Sequence, residues 1–170
     1  MVYIGLGSNI RQPYQQIKKA IIALNALPET MVIRDSGYFV SKPMGPKDQP
    51  DFINAVVELA TSVKAMKLLR HCQQIELQHG RVKLRHWGER SIDLDLLLYA
   101  DHQIKTQDLT VPHPGIVLRD FVYKPLLKLN PDVTIPGVGL LNDIVKSIDK
   151  QKQKNVQKSD FNCQFAGNIE

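Results

Sequence analysis

Asp93 and Asp95 stand two residues apart in the run Ser91-Ile92-Asp93-Leu94-Asp95-Leu96-Leu97-Leu98-Tyr99, which is otherwise mostly core material. A strand alternates its side chains, so the two carboxylates share one face while Ile92, Leu94 and Leu96 take the other. With Cα atoms about 7 Å apart, two unit charges repel by about 2.4 kcal/mol at an effective dielectric of about 20. A cation is therefore expected beside them. The stretch from Gly80 to Arg90 supplies Arg81, Lys83, Arg85 and Arg90 together with His86. Carboxylates next to a basic loop describe a divalent metal and a polyphosphate. Mg²⁺ takes hard oxygen ligands, usually one or two carboxylates plus substrate phosphates, and leaves Arg and Lys to neutralise the remaining phosphate charge. The competing reading is a salt-bridged strand end with a solvated loop, and the apolar setting of the pair favours chemistry over it.

Other residues carry weaker signals. Phe52 and Asn54 fall on one face of an expected strand, where a ring and a carboxamide suit a flat heterocycle; an asparagine there also serves to satisfy a loop backbone. Gln73 and Glu76, three apart on an expected helix, share a face toward the basic loop, as nucleotide contacts or as a polar stripe facing solvent. His113, between Pro112 and Pro114, and Arg119 are suited to phosphate, and a loop histidine equally suits local hydrogen bonding. Trp87 is placed to stack on a base or to cover a pocket, and a lone tryptophan also has plainer uses. Gly5-Leu6-Gly7-Ser8-Asn9 is no P-loop, because no Lys-Ser/Thr pair follows it.

These residues need elements to hold them. Val2 to Leu6 reads as a buried strand, and a helix follows from Pro13 with Ile17, Ala20, Ile21 and Leu24 on one face. Met31 to Val40 reads as a second strand, broken by the proline-rich loop 41–50. Phe52 to Thr61 is a third strand. Ser62 is placed to cap a helix that runs to His79 and ends at Gly80, with Leu68, Cys72 and Ile75 inward. The strand of Asp93 and Asp95 completes the order β-α-β-β-α-β. That order predicts an α+β protein with a ferredoxin-like core, an antiparallel sheet carrying both helices on one face. Beyond Tyr99 the pattern gives a turn at Asp101-His102, a rigid loop over 109–114, and short helices at Phe121 to Leu129 and Leu140 to Ile148. Residues 148–170 read as a polar, lysine-rich, poorly ordered tail to a domain spanning 1–147.

The motif His86-Trp87-Gly88-Glu89-Arg90-Ser91-Ile92-Asp93-Leu94-Asp95, supported in chain order by Gly7-Ser8-Asn9, Pro43-Met44-Gly45-Pro46, Asp48-Gln49-Pro50-Asp51-Phe52-Ile53-Asn54, Gln73 to Arg81 and Leu109-Thr110-Val111-Pro112-His113, resembles the 6-hydroxymethyl-7,8-dihydropterin pyrophosphokinase family. The resemblance implies an Mg²⁺-dependent enzyme of folate biosynthesis that moves diphosphate from ATP to the pterin hydroxymethyl group and releases AMP. It implies Asp93 and Asp95 as ligands of two Mg²⁺ ions and Arg81 and Arg90 as a clamp on the triphosphate. It places Gln73, Glu76, Leu96, Thr110, His113 and Arg119 around ATP. Ser41, Met44 and Asn54 would line the pterin pocket, Phe52 and Phe121 would sandwich the ring, and Trp87 would sit on a closing loop. Lys83 stands where many members carry arginine, Phe52 where tyrosine is frequent, and Pro114 where an aromatic follows the histidine; the loop from Arg81 to Trp87 is one residue short.

Length, charge and composition fit this reading. The 170 residues suit one domain, 43% hydrophobic content is ordinary for a globular chain, and a net charge of +5 suits an anionic ligand. Two cysteines form no framework, and no leader or membrane span is evident, so a cytoplasmic monomer is expected, with no nucleic-acid or membrane partner. A two-metal phosphodiesterase also uses paired aspartates and basic loops, but needs further metal ligands. A ferredoxin-like RNA-binding module would show paired aromatics on adjacent strands.

Overall fold

The computed structural model describes residues 1–81 and 88–150. The expectations for Lys83, Arg85, His86, Trp87 and the tail beyond 150 lie outside the described residues. The chain is a mixed α/β protein built on antiparallel sheets. Strand β1 (Val2–Ser8), helix α1 (Pro13–Asn25), strands β2 (Thr30–Asp35), β3 (Phe39–Ser41) and β4 (Phe52–Thr61), helix α2 (Ala65–Gln78) and strand β5 (Asp93–Tyr99) follow in order. The main sheet runs β2-β4-β1-β5, with β3 also paired to β4, and every pairing is antiparallel. Two short hairpins follow, β6 (Ile104–Lys105) with β7 (Thr110–Val111) and β8 (Thr134–Ile135) with β9 (Gly139–Leu140), around helix α3 (Asp120–Leu129). Residues 141–150 are helical.

Apolar residues cover the sheet on both faces. On one, Ile4, Leu6, Val57, Leu59, Leu94 and Leu96 pack against Ile17, Leu24, Leu68 and Cys72 of α1 and α2. On the other, Tyr3, Val56, Leu97 and Leu98 pack against Leu126, Leu129 and Leu141. This second cover explains why β4 is buried over most of its length instead of alternating. It encloses a polar row in which the Tyr3 hydroxyl donates to Glu58 at 3.1 Å and accepts from Asn130 at 3.1 Å, while Arg34 pairs with Glu58 at 2.5 Å.

Two local expectations are corrected. Met31 to Val40 is two strands, because the chain bends at residues 36–38: the Asp35 carboxylate accepts from the Gly37 N–H at 2.8 Å, with Gly37 at φ +72°. Ser62 does not cap α2. Its hydroxyl donates to the Glu29 carboxylate, and Lys64 holds the cap position without a side-chain bond. The helix stop is as expected, with Gly80 just past its end at φ +69°. No described helix is long and apolar enough to cross a membrane.

Cys72 is fully buried, and burial first, then Glu76 and Asp95, push its thiol up to about 12. At pH 8 its thiolate fraction is on the order of 10⁻⁴, so an aqueous thiol reagent should leave the Cys72 peptide unmodified until the protein is unfolded. Peptide mapping by mass spectrometry checks this; rapid labelling in the native protein would contradict the packing.

Candidate active site

The register of β1 between β4 and β5 builds the site. Gly7 pairs with Asn54 on one side and Asp93 on the other, and Gly5 likewise with Val56 and Asp95. Tyr3, Gly5 and Gly7 alternate on one face of β1, so the two glycines leave that face of the sheet without side chains. Strands lie about 4.8 Å apart, which sets the Asn54 and Asp93 positions roughly 10 Å apart across a bare glycine floor. Above this floor opens a cleft of about 820 Å³, including its mouth, lined among others by Ser41, Met44, Phe52, Asn54 and Phe121 at one pole. Arg90, Asp93, Asp95 and Arg119 line the other. Asn54 donates to the Ser41 hydroxyl at 2.9 Å, which fixes its carboxamide at the wall.

At the charged pole Asp93 uses both oxygens. One meets Arg81 at 2.7 Å, the other meets Arg90, and Arg81 also pairs with Glu76. Asp95 makes no hydrogen bond or ion pair with any described residue. Burial first and the charge of Asp93 second push its carboxyl up to about 6, against the pull of Arg119, Arg90 and Arg81. Glu76 is likewise pushed up to about 7, chiefly by burial, although the Leu94 N–H donates to it at 2.7 Å and Arg81 lies beside it. For Arg81, burial favours the neutral form, but Asp93 and Glu76 outweigh it and the guanidinium is held more firmly protonated.

A bulge hangs the next segment over the carboxylates. The β1–β5 register shifts at Tyr3/Ile4, and the His113 N–H donates to the Leu97 carbonyl there at 2.9 Å. His113 and Arg119 then close around Gly115, where a Cβ would come within 3.0 Å of the imidazole ring and of Arg119 Nε. Burial, then Arg119, lower the His113 pKa, with Asp93 opposing. The imidazole is thus favoured in its neutral form.

Not every expected residue reaches the cleft. Leu96 is packed in the helix-facing core, on the face opposite the carboxylates. Gln73 and Glu76 do not share a face: Glu76 is buried behind Asp93, whereas Gln73 is exposed and accepts from Arg70 at 3.0 Å. Thr110 is exposed on β7, and neither it nor His113 lines the cleft. Conversely, Gly5, Gly7 and Lys42 line it although the sequence reading gave them no part in the site; Lys42 pairs with Asp51 at 2.8 Å. The alternation of two glycines with apolar residues in β1 was the available signal for the floor.

The donor set suits a hard cation. It offers oxygen ligands only, Asp95 forms no ion pair with a described residue, and no group of three or more His, Cys, Asp or Glu among the described residues forms a metal cage. Such an ion would complete its shell with phosphate and water oxygens, as Mg²⁺ does.

A family model described as 7,8-dihydro-6-hydroxymethylpterin-pyrophosphokinase matches residues 3–131. The chain is 41% identical over 150 residues to a Haemophilus influenzae protein named 2-amino-4-hydroxy-6-hydroxymethyldihydropteridine pyrophosphokinase, covering 88% of this chain and 94% of that one. A Pseudomonas aeruginosa protein of the same name is 43% identical over 135 residues, covering 79% and 83%. Folic acid synthesis protein fol1 of Schizosaccharomyces pombe is 40% identical over 136 residues, 80% of this chain but 19% of that longer one.

The glycine floor is open to a direct test. Gly7→Val keeps a strand-forming residue but puts a branched side chain between Asn54 and Asp93, so ligand binding or turnover should fall by at least about tenfold. The folded state should remain, since a Cβ at Gly7 meets only Asn54 Oδ1 at 3.4 Å. Kinetics alongside circular dichroism checks this, and undiminished activity would mean that the ligand does not lie on this floor.

Proposed function

The chain belongs to the 7,8-dihydro-6-hydroxymethylpterin-pyrophosphokinase family, and from that premise we propose that it transfers diphosphate from ATP to the hydroxymethyl oxygen of 6-hydroxymethyl-7,8-dihydropterin in folate biosynthesis. One observation carries the reading: a single sheet row joins Asn54, Gly7 and Asp93, setting a heterocycle pole and a charged pole on one floor. The pterin ring lies between Phe52 and Phe121, with Asn54 pairing its polar edge and Ser41 holding the Asn54 amide in place. We read the sheet order as the ferredoxin-like one expected from the sequence.

The pterin hydroxyl oxygen forms a bond to the β-phosphorus while the bond from that phosphorus to the α,β-bridging oxygen breaks. The hydroxyl proton is released, and AMP departs with the bridging oxygen. Such transfer rests on positioning and electrostatics. Arg81 and Arg90, held ready on Asp93, turn to the triphosphate and absorb the charge that develops between the α- and β-phosphates. Arg119, against the His113 ring, adds a third cation. Asp93 and Asp95 would hold Mg²⁺, which when bound offsets phosphate charge and polarises the phosphoryl oxygens. The three arginines already face three carboxylates in Glu76, Asp93 and Asp95, so a triphosphate enters a site with little positive charge to spare. A divalent cation held by Asp93 and Asp95 would supply it.

Asp95→Ala should therefore lower transfer by at least about a hundredfold, equivalent to about 3 kcal/mol. The same change removes a buried carboxylate repelled by Asp93, so thermal stability should hold or rise. The assay separates the nucleotide products of ATP with and without the pterin. AMP that depends on both pterin and Mg²⁺ supports the reading; ADP, or a fully active Asp95→Ala, sinks it.

A further inference from the structure

We propose that Asn9 is a positioning residue that sets Arg90 against the heterocycle pole of the cleft. This rests on the role given to Arg90 above. Asn9 is 2% exposed and lies just past the end of β1. Its Oδ1 accepts from the Arg90 N–H at 2.8 Å, and its own N–H donates to the Arg90 carbonyl at 3.1 Å. Its Nδ2 donates to Gln49 Oε1 and to the Pro50 carbonyl, both at 3.0 Å. Arg90 N–H can only donate and the Pro50 carbonyl can only accept, so chemistry fixes which way the amide points.

One buried carboxamide thus ties together three segments. The first is the end of β1. The second is Arg90, whose side chain lines the cleft beside Asp93. The third is the proline-rich loop, which bears Met44 and leads through Asp51 into Phe52. Gln49 braces that loop by donating to the Pro46 carbonyl at 2.8 Å, and the Ser8 hydroxyl donates to the Ser91 carbonyl at 2.6 Å beside the Asn9–Arg90 pair. Past the last β1–β5 pair, Gly7 with Asp93, these side-chain bonds continue the ladder where the strand pairing stops. Arg90 itself lies outside the helices and strands, three residues before β5 begins at Asp93. Asn9 converts the stiffness of the sheet into a fixed position for the guanidinium relative to the aromatic pole. A displacement of about 1 Å there is enough to cost on the order of a hundredfold in rate.

The test is a double-mutant cycle of wild type, Asn9→Ala, Arg90→Ala and the double variant, read as pterin-dependent AMP formation with kcat and both KM values, beside thermal unfolding. Asn9→Ala should lower kcat by about ten- to a hundredfold with KM values within about threefold of wild type. In the Arg90→Ala background the same change should lower kcat by less than about threefold, because the residue acts through Arg90. A merely structural asparagine would repeat its full effect in both backgrounds. That result, or an unchanged kcat in Asn9→Ala, overturns the proposal. If Asn9→Ala does not fold, Gln49→Ala removes one arm of the clasp and enters the same cycle. A kcat loss that vanishes without Arg90 supports the proposal, and an additive or absent loss overturns it. Wild-type protein that forms no AMP defeats the diphosphate-transfer reading itself, and the positioning role with it; active wild type with an additive cycle defeats only the role of Asn9.

Discussion

Strand register is the constraint on which the rest depends. With Gly7 opposite Asp93 and Gly5 opposite Asp95, Leu94 and Leu96 are committed to the helix-facing core and the carboxylates to the cleft. A slip of one residue would drive two carboxylates into an apolar core and put leucines on the floor of the site. The cost of burying unpaired charge is far larger than any single contact in the cleft. The same hydrophobic burial that packs the apolar residues of β5, at the edge of the sheet, into the core therefore places the acidic pair, and the site is a by-product of a register that packing enforces.

The electrostatics follow from that placement. Asp93 and Asp95 are drawn together on one face, so one takes two guanidiniums and the other is left to gain a proton or a cation. Glu76, buried behind Asp93, takes the Leu94 N–H and the second side of Arg81, which fixes that arginine between two acids. Among the described residues compensation is arranged in pairs with Asp95 left over, and the proposed divalent ion rests on that imbalance. Arginines gather at the acidic pole of the cleft, and the other pole is left to aromatic rings, a carboxamide and a methionine.

Cover on the second sheet face shapes the cleft. Helix α3 and the residues beyond it bury Val56, Leu97 and Leu98 but stop short of Gly5, Gly7, Asp93 and Asp95. The uncovered part of the sheet is the part without bulky apolar side chains. The bulge at Tyr3/Ile4 then turns Leu98 toward this second cover beside Leu97, whose carbonyl accepts from His113, so an irregularity in the ladder places the His113–Arg119 loop over the acids.

The sequence by itself determined the alternation of β5, the order of the main elements, the aromatic and carboxamide residues of β4, and the family, because each is carried by local period or by contiguous motifs. It also fixed the helix stop at Gly80, where a positive φ falls on glycine. What it did not determine was anything that depends on which strand lies beside which. The glycine floor, the inward turn of Glu76 away from Gln73, and the burial of Leu96 are products of pairing and of the depth at which α2 packs. The clasp at Asn9 belongs to the same class, since it joins residues 81 positions apart. Short-range pattern reports which face a side chain takes on its own element, and only tertiary packing decides what that face meets.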